Sequence, residues 1–147
     1  MTGTMTDKVE LLNFIYKNAQ MGQESIGYLL DVVDDSEMRQ FLREQQEEYG
    51  KIMEEAHGLI KDEHAETEGV GAMAKVSSYV MVNMKTMTDN TPSHIAKMMI
   101  EGSTKGTIEI TKKLKLYEGV DRHAEKLGQH LLAMEEHNIE KLKDFLA

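Results

Sequence analysis

Two glutamates carry the most chemically loaded choice in this sequence. Glu48 and Glu135 each fall near the middle of an apolar stripe that repeats at helical spacing. Two carboxylates brought inward in this way either hold a cation or share a proton with raised pKa. The same stripes carry Gln23, Gln45, Ser103, Thr104, Thr107, Thr111 and Asn138. Together these residues predict a polar waist inside an otherwise apolar bundle. A buried polar group without a partner costs roughly 1–3 kcal/mol, and a buried charge costs more. Such a waist therefore needs a reason: either mutual hydrogen bonding, with trapped water, that fixes helix register, or a ligand or metal.

Other residues with ligating chemistry are less well spaced. His123, His130 and His137 recur every seven residues, as do His57 and His64. Seven residues of helix separate two side chains by about 10.5 Å, too far to chelate one ion. They read as solvated residues beside a heptad seam, with a surface metal locus across a subunit contact as the alternative. Met73, Met81, Met84 and Met87 lie on or beside the expected short helix, and Met98 and Met99 follow soon after. A methionine face can take soft Cu(I), but no Cys or His interleaves with Met73, Met81, Met84 and Met87, so flexible gap filling is the simpler reading.

The elements that must position these groups are helices. Their bounds follow from stop signals between apolar runs. The first is expected over residues 7–33, and Asp35 and Ser36 form a tight corner that caps a second helix running to about 66. Gly69 and Gly71 then break the pattern. A short apolar helix is expected over 72–87, inside a connection spanning 67–92. Thr91 and Pro92 start a third long helix, with Pro at the first helical position, that runs to about 117. Glu118 and Gly119 turn the chain into the last helix, 121–145. Placed at about 100° per residue, the stripes are Leu12, Ile15, Ala19, Gln23, Ile26, Leu30 and Val33 on the first helix, and Met38, Phe41, Gln45, Glu48, Ile52, Ala56 and Leu59 on the second. They continue as Ala96, Ile100, Ser103, Thr104, Thr107, Thr111 and Leu114 on the third, and Ala124, Leu127, Leu131, Glu135, Asn138, Leu142 and Phe145 on the last. Two tight hairpins joined by a connection long enough to cross the molecule give an all-α, antiparallel four-helix bundle with one crossover. Residues 1–147 read as one domain, with 1–6 as a flexible N-terminus.

This topology and three phrases resemble the ferritin-like superfamily of the rubrerythrin and bacterioferritin type: Met21-Gly22-Gln23-Glu24-Ser25, Phe41-Leu42-Arg43-Glu44-Gln45-Gln46-Glu47-Glu48, and Met134-Glu135-Glu136-His137. The resemblance implies a di-iron centre made from one Glu on each of two helices and a Glu-x-x-His on each of the other two. The candidate ligands are Glu24, Glu48, Glu101 and Glu135, with iron or another divalent metal as the implied cofactor. The sequence departs from the pattern at both histidines. Three residues after Glu48 stands Lys51, and three after Glu135 stands Asn138. The one Glu-x-x-His, Glu54 with His57, lies about 140–160° from the centre of its helix's stripe, and Glu24 lies about 140° from its own.

Composition closes other routes. The chain has 147 residues, a formal charge of −9, no Cys and 12 Met. Negative charge argues against phosphate backbones and anionic membranes, and residues 35–68 alone hold 11 acids against 4 bases. Without Cys there is no disulfide framework, thiolate site or Cys nucleophile. The opening MTGTMTDK lacks the apolar core of a signal peptide, and no run approaches a membrane span, so a soluble cytoplasmic protein is expected. No phosphate loop or nucleophile elbow is present. A second apolar line on the first helix, Phe14, Met21, Tyr28 and Val32, needs a cover, either the short helix or another subunit. The expected function is a non-catalytic oligomerising or partner-binding module, with a homodimer favoured. The alternative is an iron-binding protein with a reduced carboxylate site, in iron handling or oxidant defence.

Overall fold

A computed structural model describes residues 6–69 and 89–147. Within these residues there are four long helices and no strand. Helix α1 spans Asp7–Leu30, α2 Ser36–Asp62, α3 Pro92–Leu116 and α4 Arg122–Leu142, the last continuing into a 3₁₀ turn, Lys143–Phe145. The short helix expected over 72–87 lies outside the described residues.

Each helix starts at a residue able to satisfy an orphan backbone donor. The Thr6 hydroxyl accepts from Val9 N at 3.2 Å, the Asp35 carboxylate from Met38 N at 2.9 Å, Thr91 from His94 N at 3.3 Å and Asp121 from Ala124 N at 2.9 Å. The α1–α2 corner is closed by Arg39, whose guanidinium donates to the backbone carbonyls of Leu30 and Val33. α1 stops at Leu30, three residues short of the expected end, although Val33 is still buried against the core. α2 stops at Asp62, not near 66. His64 adopts φ 56°, its N–H donates to Lys61 O at 2.9 Å, and Ala65 N donates to Ile60 O at 3.3 Å. This pair of bonds is a Schellman ending built on a non-glycine residue. At the α3–α4 corner Gly119 supplies the left-handed turn, with φ 81°.

Contacts at the helix ends establish the directions. Lys8 at the start of α1 bridges Glu63, just past α2, and Asp121, just before α4, each at 3.4 Å. Tyr117 at the end of α3 donates its hydroxyl to Glu10 at 2.6 Å. At the opposite end Asn90 donates to Val32 O at 3.2 Å, and the rings of Phe41 and Phe145 lie 5.8 Å apart. α1 and α4 therefore run one way, and α2 and α3 the other. Glu68 N donates to Asn13 in the N-terminal half of α1 at 2.7 Å, so the chain leaves the first hairpin at one end of the bundle and enters α3 from the other.

The core is aliphatic. Leu12, Ile15, Ala19, Leu42, Ile52, Ala56, Ile60, Ala124, Leu131 and Leu142 are shut off from solvent, each large one worth about 1.5–3 kcal/mol of burial. α4 comes close to its neighbours at Gly128, where a Cβ would meet Leu114 Cδ2 at 2.7 Å and Ile15 Cδ1 at 3.4 Å. α3 is the loosest helix, burying only Ile95, Ala96 and Ile110.

Candidate functional site

The antiparallel register of α2 and α4 sets the layers of the interior. Phe41 meets Phe145 in one layer, and two turns further along α2 Tyr49 meets Glu135. Gln45, one turn before Tyr49, and Asn138, one turn after Glu135, fall in the layer between. All four are buried: Gln45 is 3% exposed, Asn138 5%, Tyr49 6% and Glu135 6%.

The Tyr49 hydroxyl donates to Glu135 Oε1. From α3 the Ser103 hydroxyl also favours the charged form of this carboxylate. Burial acts in the opposite direction and is the larger effect, so the Glu135 pKa lies above its usual 4.5. Burial, followed by the negative charge of Glu135, lifts the Tyr49 phenol well above its usual 10.0. The phenol thus stays protonated and acts as a donor, while the acid resists ionisation. In the adjoining layer Gln45 Oε1 and Asn138 Nδ2 have no hydrogen-bond partner. One is an acceptor and the other a donor.

Helix α1 seals the phenol through an absence. A Cβ at Gly22 would stand 2.5 Å from Tyr49 Cζ and within 2.8 Å of both Cε atoms. Only glycine lets the α1 backbone lie against the ring face at this point. Beside it, Gln23 Nε2 lies over Gly50, 3.0 Å from where a Cβ would be, and Gln46 Nε2 donates to Gln23 O at 3.5 Å.

The polar waist is therefore narrower than the stripes suggest. Glu135, Gln45 and Asn138 are buried as expected, and Gln23, Ser103, Thr107 and Thr111 are half-buried. Thr104 is exposed, and its carbonyl accepts from the Thr107 hydroxyl at 2.7 Å within α3. Glu48 is half-buried, and the central place on α2 belongs to Tyr49. One residue of helix is about 100° of rotation, and the inward series is Gln45, Tyr49, Ile52 and Ala56, a 4-3-4 spacing that passes Glu48 by. The expected series also steps by threes and fours, so spacing alone does not single out Tyr49. Glu101 is exposed. Glu24 is half-buried, accepts from Gln20 Nε2 at 3.4 Å, and lines an open groove of about 480 Å³ with Gln23, Gly27, Tyr28, Asp31 and Gln46.

Among the described residues no three His, Asp or Glu side chains gather as a metal ion would require. A di-iron set of several carboxylates and imidazoles does not fit the interior found here, where one carboxylate is engaged by a phenol and flanked by two amides. On the outer line of α1, Phe14 is half-buried with Lys113 Nζ 5.4 Å from its ring centre, and Met21 is 43% exposed. No described helix is long and apolar enough to cross a membrane. No protein-family model matches this chain, and neither a curated protein nor a solved structure matches it.

Proposed function

We propose that this chain is a ferritin-like bundle without a standard di-iron centre, acting in the cytoplasm as a non-catalytic oligomerising or partner-binding module. In this reading the long connection carries a crossover helix, and the protein works through its outer surfaces as a homodimer.

The observation that carries the reading is the Tyr49–Glu135 hydrogen bond at the centre of the bundle. Glu135 is the one site candidate among the four glutamates that is buried, and its partner is a phenol, not a second carboxylate. Asn138 stands where the family pattern wants histidine. A buried acid bonded to a protonated phenol specifies helix register, which is a structural task. The helix directions, with α1 and α4 running one way and α2 and α3 the other, further support the ferritin-like comparison.

The test is metal analysis of protein purified without chelator, followed by Fe(II) titration with ultraviolet detection of ferric oxo species. The expected result is no stoichiometric transition metal and no ferric absorption above a blank. Stoichiometric iron that disappears in a Glu48→Ala, Glu135→Ala double variant would overturn the reading in favour of an iron-handling protein.

A further inference from the structure

The outward face of α3 has a symmetry of its own. Glu101, Ile108 and Lys115 are spaced seven residues apart, so they lie nearly in line along the helix, about 10.5 Å from one to the next. All three are exposed, and Ile108, the midpoint, is 51% open to solvent. Beside Ile108 runs an open groove of about 290 Å³ whose apolar lining is Ile108 itself and Leu132 of α4. The rest of that lining is polar, Thr107, Thr111, Lys112 and Lys115 on α3 and Glu136 on α4, so Ile108 is the exposed apolar centre of a charged face.

We propose that this face binds a second copy of the chain, with the two α3 helices antiparallel about a two-fold axis at Ile108. This rests on the reading of the protein as a self-associating bundle, and it specifies the surface. Charge complementarity selects both the occupant and the direction. In the antiparallel arrangement Glu101 of each copy lies opposite Lys115 of the other, so two ion pairs close the ends while the isoleucines meet in the middle. A parallel arrangement would set Glu101 against Glu101 and Lys115 against Lys115, which is repulsive at both ends. The short side chain of Thr104, opposite Lys112 of the second copy, leaves room for the helices to approach to the usual 8–10 Å. A two-fold contact of this kind is closed and self-complementary.

The test uses sedimentation equilibrium of the full chain with four variants: Ile108→Asp, Glu101→Lys, Lys115→Glu and the double charge reversal. All three positions are exposed, so far-ultraviolet circular dichroism should match the wild type throughout, and any fall in Tm should track the loss of dimer. The wild type is expected to be dimeric. Ile108→Asp should raise the dissociation constant at least about a hundredfold, and each single reversal about tenfold. The double reversal should return to within about threefold of the wild type. A dimer unaffected by Ile108→Asp would overturn this face as the interface while leaving a self-associating bundle. Monomerisation by Ile108→Asp without rescue by the double reversal would overturn the antiparallel register. A wild type that is monomeric at all accessible concentrations would overturn the proposal and the dimeric reading with it.

Discussion

The pairing of Glu135 with Tyr49 makes stability depend on pH in a direction that can be worked out. Burial holds the folded-state pKa of Glu135 above the 4.5 expected for an exposed glutamate. The folded chain therefore retains a proton that the unfolded chain gives up. The associated stability is present in full below about pH 4.5 and is lost as pH rises through the higher folded value. Glu135→Gln keeps an acceptor for the Tyr49 hydroxyl and removes the charge. Its Tm, subtracted from that of the wild type across pH 4–8, should expose a wild-type decline that the variant lacks. A difference that stays flat would show that Glu135 titrates as an ordinary exposed acid. Tyr49→Phe should cost about 1–3 kcal/mol at neutral pH, because it strips a donor from a buried carboxylate. The phenol's hydrogen bond favours the charged form, so without it the total loss between pH 4 and 8 should be larger than in the wild type. Denaturant titrations at the two pH values would measure it.

At the level of the helices, sequence reading succeeds where a local chemical signal exists and fails where tertiary geometry decides. Asp35, Thr91 with Pro92, and Asp121 are read as starts, and the structure begins α2, α3 and α4 there. No glycine announces the end of α2, and the Schellman ending at His64 is set by how Ala65 packs back on the core. His64→Gly should relieve the cost of a left-handed residue, about 1–2 kcal/mol, and raise the midpoint of urea unfolding. Glycines inside helices divide in the same way. Gly102 has nothing within 4 Å of a new Cβ, so Gly102→Ala should stabilise by about 0.5–1 kcal/mol. Gly22→Ala gains the same helix propensity but drives a methyl into the Tyr49 ring, and should destabilise by about 1–3 kcal/mol. Equal effects at the two positions would mean that the ring is free to move aside. Tyr49 lies off the expected stripe for a related reason. A stripe centred on Glu48 differs by one residue, and only the space left by Gly22 on a neighbouring helix reveals which side of α2 faces in.

Topology at the scale of the whole molecule was legible because loop length is a physical constraint: two short corners force antiparallel hairpins, and one long connection frees the second hairpin to enter from the opposite end. The unequal hold on the four helices was legible in part, since the α3 stripe carries Ser103, Thr104, Thr107 and Thr111 where each other stripe carries one or two polar residues. In the structure α2 buries seven residues and α4 eight, whereas α3 buries three, all outside its polar centre. Opening free energy follows buried apolar contact, so α3 should be the first unit to detach. Native-state hydrogen exchange tests this residue by residue. Amides in the centre of α3, around Ser103 to Thr107, should exchange through an opening that costs several kcal/mol less than the global unfolding reported by Ile52 and Leu131. Ile110→Ala, which removes the single buried anchor in the second half of α3, should weaken the whole by about 2–4 kcal/mol and narrow the protected part of α3 to its first turns. If two copies pair through α3, protection at its centre should also rise with protein concentration, because association adds to the free energy of that opening by mass action. Exchange in the α1–α2 hairpin should not respond in this way, and uniform opening energies across all four helices would show that the bundle unfolds as one unit.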